Sequence, residues 1–274
     1  MTAPPGDRRS TFSRFAARHP ITAFALSALA IGWPALTIPL IAGLPTEPFL
    51  LLLNFVGLLG SALVVTRAAG GPGAVRRLLS RVLIWRFGLA RWAIIVLAVP
   101  VLTLSVGAAS GTLEAPAGGW PWLAATYLFG TFITGALILN LWEETAWGGF
   151  VQSRLMERHG LLAGSLLTAV PFIAIHIPLL FAPGWNWRDV GVDFAVLAAL
   201  APFYRYLIGM HLLDTGGSLL AAGIQHASWN TSQKLGAGDW PALVAVILLT
   251  ITLGLARRLR DNRAEAGSHA KATR

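Results

Sequence analysis

The stretch WLAATYLFGTFITGALILNLWEETAWGGF, residues 122–150, decides the fold class. It is longer than the roughly 17–25 apolar residues that cross a bilayer as a helix, yet it carries the adjacent carboxylates Glu143 and Glu144. A charge at the bilayer centre costs about 3 kcal/mol or more, so charged residues in such segments usually face a protein interior and serve function. The stretch therefore predicts a membrane-spanning helix that contributes to a buried polar site.

The composition of the whole chain agrees with a membrane protein. Of its 274 residues, 55% are hydrophobic and only 12% are charged, and the mean hydropathy is +0.65. A soluble domain carries about 25% charged residues. The chain has no cysteine, which excludes disulfides, thiolate metal ligands and a cysteine nucleophile. We predict an all-α polytopic membrane protein surrounded by the lipid bilayer.

Eight apolar windows are long enough to be membrane spans. We predict a cytoplasmic N-terminal segment at 1–19, a transmembrane domain at 20–256 with its functional core at 122–234, and a disordered cytoplasmic tail at 257–274. A short amphipathic helix is expected between the second and third spans. The predicted spans are residues 20–42, 49–67, 92–110, 122–150, 160–181, 191–210, 218–234 and 240–256.

The basic residues lie on alternate sides of these spans. They precede the first span, separate the second from the third, and follow the fourth and the eighth, whereas the opposite connections hold almost none. By the positive-inside rule, this pattern predicts a multi-pass protein of the cell membrane with both termini in the cytoplasm. The net charge of +9 then reflects the membrane topology and gives the protein some attraction to anionic lipid. We expect no nucleic-acid partner.

The polar residues of three spans are predicted to meet. Spans four and five should form an antiparallel hairpin that turns near Gly160. Glu143 and His176 lie at nearly equal distances on the two sides of this turn, about 25 Å at 1.5 Å per residue, so their side chains reach the same level. In the seventh span, His226 and Asn230 are one helical turn apart and share one face.

Two carboxylates, two imidazoles and an amide in apolar surroundings are typical of a hydrolytic site. A glutamate there can act as a general base, and a histidine opposite it can hold the attacking water. A second histidine, with Asn230 one turn away, can donate hydrogen bonds to the developing oxyanion. Alternatively, Glu143, His176 and His226 could ligate zinc, although their spacing is not that of the helical His-Glu-x-x-His motif. The residues alone leave both alternatives open.

Residues 143–150, 172–176 and 226–230 read EETAWGGF, FIAIH and HASWN. In this order, on three apolar segments, they resemble the CPBP family of intramembrane proteases, which includes the CAAX prenyl endopeptidases and the ABI-like proteins. The family shows Glu-Glu-x-x-x-Arg, Phe-x-x-x-His and His-x-x-x-Asn. The resemblance implies an endopeptidase that cleaves a peptide or protein substrate, including membrane-anchored ones, near the cytoplasmic side of the membrane.

The resemblance also implies a role for each matching residue. Glu143 would be the general base, and His176 would help to position the water. His226 and Asn230 would form the oxyanion hole. Glu144 would be a supporting carboxylate that the arginine of the motif neutralises.

One position departs from the family pattern, because Gly148 stands where the motif has arginine. Glu144 then needs another cation, and Arg205, deep in the sixth span, is the best candidate, so we hypothesise an ion pair between them. The missing arginine also leaves open a catalytically inactive homologue that acts as a membrane immunity, scaffold or transport-related protein. The abundance of alanine, glycine and arginine is typical of a bacterium of high GC content, where prenylated CAAX substrates are not expected.

Overall fold

The protein is described by a computed structural model that covers residues 10–181, 184–238 and 240–272. Regular structure within these residues is entirely helical, which confirms the predicted all-α class. In chain order the helices are α1 (Thr11–Arg18), α2 (Pro20–Ala42), α3 (Glu47–Gly70), α4 (Pro72–Ser80), α5 (Leu89–Ser110), α6 (residues 119–159), α7 (residues 161–176), α8 (Trp187–Asp214), α9 (Leu219–Ser232) and α10 (Pro241–Ala272).

Six helical stretches in the described part of the chain are long and apolar enough to cross a membrane, so this is a multi-pass membrane protein. One of them, Gly119–Phe181, is 63 residues long and contains both α6 and α7. Gly160 interrupts it with φ 77° and ψ 174°, a conformation that glycine adopts without strain. The side chains of Gln152 and Ser165 are hydrogen-bonded across this break at 3.1 Å. The chain therefore reverses at the predicted turn, and α7 folds back along α6.

Helix α9 lies within the seventh predicted span, residues 218–234. It has 14 residues and is about 21 Å long, which is shorter than the hydrocarbon core of about 30 Å. Most of its side chains are buried against α5, α6 and α8. Its apolar composition thus reflects contact with protein rather than with lipid. The total of eight membrane crossings remains a prediction.

Small residues allow α9 to approach α6 closely. A Cβ atom added at Gly223 would lie 2.7 Å from the Cα of Leu141, and one added at Gly135 would lie 2.6 Å from the Cβ of Ala227. Close backbone contacts of this kind are typical of helix packing in membranes. They hold α9 beside the part of α6 that carries the two carboxylates.

The amphipathic helix predicted between the second and third spans is α4, which the 3₁₀ turn Arg81–Leu83 follows. The Arg81 guanidinium donates to the carbonyl of Gly217 at 2.8 Å, to that of Gly149 at 3.2 Å and to the hydroxyl of Ser153 at 3.0 Å. Burial lowers the pKa of Arg81 from its ordinary value, which is so high that the side chain stays charged. This arginine fixes the linker to α6 and to the start of α9.

The tail that was predicted to be disordered, residues 257–274, continues α10 as a helix as far as Ala272. Its sequence is rich in alanine and arginine, which have high helix propensity, and this composition accounts for the extension. Two parts of the predicted cytoplasmic segments, residues 1–9 and 273–274, lie outside the described residues.

Candidate active site

A cavity of about 150 Å³ lies between α3, α6, α7 and α9. Three of the residues that the sequence singled out, Glu143, His176 and Asn230, line it together. The rest of its wall consists of leucine and isoleucine side chains and of two further amides, Asn54 and Asn140. The structure thus places a carboxylate, an imidazole and amides around one small space with apolar walls.

Helix α6 is irregular around this cavity. Two π-helical segments, Gly130–Asn140 and Thr145–Gln152, flank the single α-helical turn Leu141–Glu144. Such π-helical turns occur frequently at functional sites. The two adjacent carboxylates have different surroundings, because Glu143 lines the cavity with 15% of its side chain exposed, whereas Glu144 is fully buried.

Glu143 belongs to a chain of amide hydrogen bonds. Asn140 donates from Nδ2 to Oε2 of Glu143 at 3.3 Å, and Asn230 donates from Nδ2 to Oδ1 of Asn140 at 3.4 Å. Asn140 precedes Glu143 by three residues and therefore lies on the same face of α6. Asn140 thus holds one oxygen of the carboxylate, and Asn230 holds Asn140.

Glu144 is bound by Arg205 and His226 in the protein interior. Arg205 donates to both carboxylate oxygens, Nη1 to Oε1 at 2.8 Å and Nη2 to Oε2 at 3.1 Å, and both side chains are fully buried. Nδ1 of His226 lies 3.0 Å from Oε1 of Glu144. Gln152 accepts hydrogen bonds from Nε and Nη2 of Arg205, and the ring of Phe172 lies 5.4 Å from the guanidinium carbon. The arginine is thus surrounded by acceptors and by an aromatic face.

Gly148 provides the space that this ion pair needs. A Cβ atom at position 148 would lie 2.9 Å from Oε2 of Glu144 and 3.8 Å from Nη2 of Arg205. A side chain at Gly148 would therefore meet the carboxylate that Arg205 binds. The glycine that departs from the family motif and the arginine on α8 are two parts of one arrangement.

The two histidines have different settings. His176 has Nδ1 at 2.7 Å from the carbonyl oxygen of Phe172, which can only accept, so Nδ1 carries a hydrogen; in the neutral ring, Nε2 then carries the lone pair. His226 does not line the cavity, and its Nδ1 lies 4.0 Å from Oε2 of Glu143 and closer to Glu144. Its ring packs against Tyr204 and Trp229, with centroid distances of 5.1 and 6.3 Å.

Glu143, His176 and His226 are the residues predicted as zinc ligands. Among the described residues, no three His, Asp or Glu side chains form a group that could hold a metal ion. His226 turns its Nδ1 to Glu144, and His176 turns its Nδ1 to the backbone. Both hydrogen bonds leave Nε2 of the ring unused, so zinc ligation by these residues stays a prediction.

Three polar residues of the site were not found from the sequence. Asn140 could have been found, because it lies one turn before Glu143 in an apolar segment. Gln152 is fully buried and binds Arg205, but its contact depends on the packing of α8 against α6. Asn54 reaches the cavity from α3, far away in sequence, and no local pattern marks it.

Residues 121–232 match the family model described as Rce1-like, type II CAAX prenyl endopeptidase. The match contains every residue that lines the cavity except those contributed by α3. It also contains the buried network around Glu144. No curated protein matches the chain.

Proposed function

We propose that this chain, a member of the Rce1-like family of type II CAAX prenyl endopeptidases, hydrolyses a peptide bond with a water molecule that Glu143 activates. The observation that carries the proposal is the shared cavity of Glu143 and His176. Its volume of about 150 Å³ equals that of about five water molecules at roughly 30 Å³ each. This is room for a peptide group and an attacking water.

The reaction begins at the carboxylate oxygen that Asn140 leaves free. Glu143 takes a proton from the water there, and Nε2 of His176 accepts a hydrogen bond from the other hydrogen and so orients the nucleophile. The oxygen of the water attacks the carbonyl carbon of the peptide bond. The proton on Glu143 then passes to the amide nitrogen, and the carbon–nitrogen bond breaks to release an amine and a carboxylic acid, which keeps the second hydrogen of the water.

The oxyanion that develops on the carbonyl needs hydrogen-bond donors. The Nδ2 group of Asn230 carries two hydrogens, of which one bonds to Asn140 and the other is available. His226 donates through Nδ1 to Glu144, so it can donate through Nε2 as well only as an imidazolium. We propose this charged form, since with Glu143, Glu144 and Arg205 ionised the four charges then sum to zero.

Glu144 and Arg205 are positioning residues in this mechanism. The two-point ion pair fixes the carboxylate, and the carboxylate fixes the ring of His226 through Nδ1. A buried carboxylate without its arginine would be uncompensated, which is strongly unfavourable. The arrangement therefore supports catalysis by keeping His226 in one orientation.

The location of the site relative to the membrane is inferred from the distribution of basic residues along the sequence. We propose that the protein lies in the cell membrane with both termini in the cytoplasm, because the basic residues alternate as the positive-inside rule requires. Arg205 lies nine residues before Asp214, at the end of α8 that this orientation assigns to the cytoplasm, or about 14 Å along the helix. Peptides or proteins held at the cytoplasmic half of the bilayer are the proposed substrates.

A non-catalytic role as an immunity, scaffold or transport-related protein was the alternative that Gly148 suggested. Arg205 supplies Glu144 with the guanidinium that the motif would otherwise supply. The departure from the motif therefore gives no support to an inactive homologue, and the enzyme is the function that the geometry favours.

The test is cleavage of a fluorogenic peptide library by detergent-purified protein, with the wild type beside Glu143→Ala. We expect cleavage by the wild type alone, unchanged by a zinc chelator. Equal cleavage by the Glu143→Ala variant would contradict the proposal. Loss of activity in the chelator, with recovery on addition of zinc, would contradict the metal-free mechanism and leave the protease intact.

A further inference from the structure

Asn54 is a buried amide in one of the most apolar segments of the protein. It lies in the π-helical part of α3, Leu53–Gly60, within a helix whose mean hydropathy reaches 2.3. Its exposed fraction is 5%, and it lines the cavity that contains Glu143 and His176. It also lies outside residues 121–232, the segment that matches the family. The family match therefore does not explain why this apolar helix carries a buried amide at position 54.

The orientation of this amide is fixed by its one hydrogen bond. Nδ2 of Asn54 donates to the backbone carbonyl of Leu139 at 2.8 Å. A carbonyl oxygen only accepts, so the nitrogen must face Leu139 and the side-chain oxygen must face away from it. Oδ1 of Asn54 is therefore a buried acceptor, directed away from Leu139, on a residue that lines the cavity.

Oδ1 of Asn54 has no hydrogen-bond partner among the described residues, although it is buried. Leaving a buried polar atom unpaired costs about 1–3 kcal/mol. The other amides of the cavity do not reach this oxygen, because Nδ2 of Asn140 bonds to Glu143 and Nδ2 of Asn230 bonds to Asn140. Unlike Thr66, Asn54 lines the cavity, so a molecule that enters there can supply the missing donor.

We propose that Asn54 is a substrate-positioning residue whose Oδ1 accepts a hydrogen bond from a backbone N–H group of the bound peptide. This inference rests on the proposed function and deepens it. A peptide that enters a membrane-embedded site loses water from its backbone, so each N–H group needs an acceptor from the protein. Asn54 supplies one acceptor, fixed in direction by Leu139, on the α3 wall of the space that holds the nucleophile.

The experiment combines Asn54→Leu, which keeps the size of the side chain and removes the acceptor, with peptide substrates N-methylated at one backbone position at a time. For the wild type, we expect one N-methylated position to lower kcat/KM about tenfold, the equivalent of about 1.4 kcal/mol. For Asn54→Leu, we expect the unmodified peptide to be cleaved about tenfold more slowly, mainly through KM. For this variant, N-methylation at the same position of the peptide should not lower kcat/KM any further.

Thr66→Val is the matched control. Thr66 lies on the same helix, and its Oγ1 is equally buried and has no partner among the described residues, but it does not line the cavity. This variant should keep the wild-type rate and the wild-type sensitivity to N-methylation. Asn54→Ala serves for the same comparison if the leucine variant does not yield a monodisperse protein.

Two results would overturn the inference in different ways. If Asn54→Leu and Asn54→Ala retain the tenfold penalty at the same methylated position, the acceptor is not Asn54 and the proposed function stands. If the wild type cleaves no peptide at all, the proposed function fails and this role of Asn54 fails with it.

Discussion

Arg205 on α8 and Glu144 on α6 form a two-point ion pair, with nitrogen–oxygen distances of 2.8 and 3.1 Å, and neither side chain is exposed. Sixty-one positions separate them in sequence. Their contact depends on Gly148, whose missing side chain leaves the carboxylate accessible to an arginine from another helix. The positive charge beside Glu144 thus comes from another helix, whereas the resemblance implied an arginine at position 148 of the same helix.

Replacing Arg205 by methionine should destabilise the protein strongly. The variant keeps a similar volume but leaves Glu144 buried without its cation, and breaking such pairs costs about 3–5 kcal/mol. The midpoint of thermal unfolding in detergent should therefore fall clearly below that of the wild type. Arg260→Met, at an exposed position of α10, is the control that should leave the midpoint unchanged. Equal midpoints for Arg205→Met and the wild type would show that the ion pair does not stabilise the fold.

Moving the arginine back to the motif position should restore part of that loss. Gly148→Arg alone should destabilise the protein, because its Cβ would lie 2.9 Å from Oε2 of Glu144 while Arg205 fills the adjacent space. In the Arg205→Ala background, the same change should raise the unfolding midpoint above that of Arg205→Ala. The double variant must therefore be more stable than the sum of the two single effects predicts. Additive losses would refute the view that the two positions provide the same charge.

The sequence predicted the parts of the site that depend on distances along a helix. Glu143 and His176 meet because they lie equally far from the turn at Gly160, and a count of residues was enough to find this. The sequence also pointed to Arg205, since a buried charge needs a partner. The hydrogen bond of His226 to Glu144 was not predicted, and the role of His226 at the oxyanion stays a prediction.

What the sequence could not give depends on how helices rotate and pack. The apolar composition of α9 would be the same with lipid or with protein as its neighbour, so composition alone did not show that most of its side chains are buried against other helices. Asn54 joins the cavity only because α3 turns that face toward α6. Neither fact is encoded in the spacing of residues within a single helix.

Asn140 should be needed for the rate of the reaction. It holds Oε2 of Glu143 at 3.3 Å, and a hydrogen bond to a charged group contributes about 1.5–3 kcal/mol. We expect Asn140→Ala to lower kcat about tenfold or more with a smaller effect on KM, as measured with the best peptide of the library. Asn140→Asp should lower kcat further, since it places a second carboxylate against Glu143.

Thr131→Val is the control for Asn140. Thr131 lies on α6, and its hydroxyl is buried and without a partner among the described residues. This variant should keep the wild-type kcat. A wild-type kcat in Asn140→Ala as well would remove Asn140 from the mechanism.

The orientation in the membrane can be tested with single cysteines, because the natural chain has none. His159→Cys, in the turn between α6 and α7, should react with a membrane-impermeant maleimide only from the cytoplasmic side. Ala117→Cys, in the exposed connection before α6, should react only from the opposite side. Labelling of inside-out and right-side-out vesicles distinguishes the two. The reverse pattern would contradict the proposed orientation of both termini.

The most direct test of the central claim is the value of kcat/KM for one cleaved peptide with Glu143→Gln, beside Glu157→Gln at an exposed position of the same helix. Glutamine keeps the shape of the side chain but cannot take the proton of the attacking water. The account predicts that Glu143→Gln loses at least about a hundredfold, in line with the usual contribution of a general base, while Glu157→Gln retains the wild-type value. A Glu143→Gln variant that cleaves the peptide as fast as the wild type would contradict it.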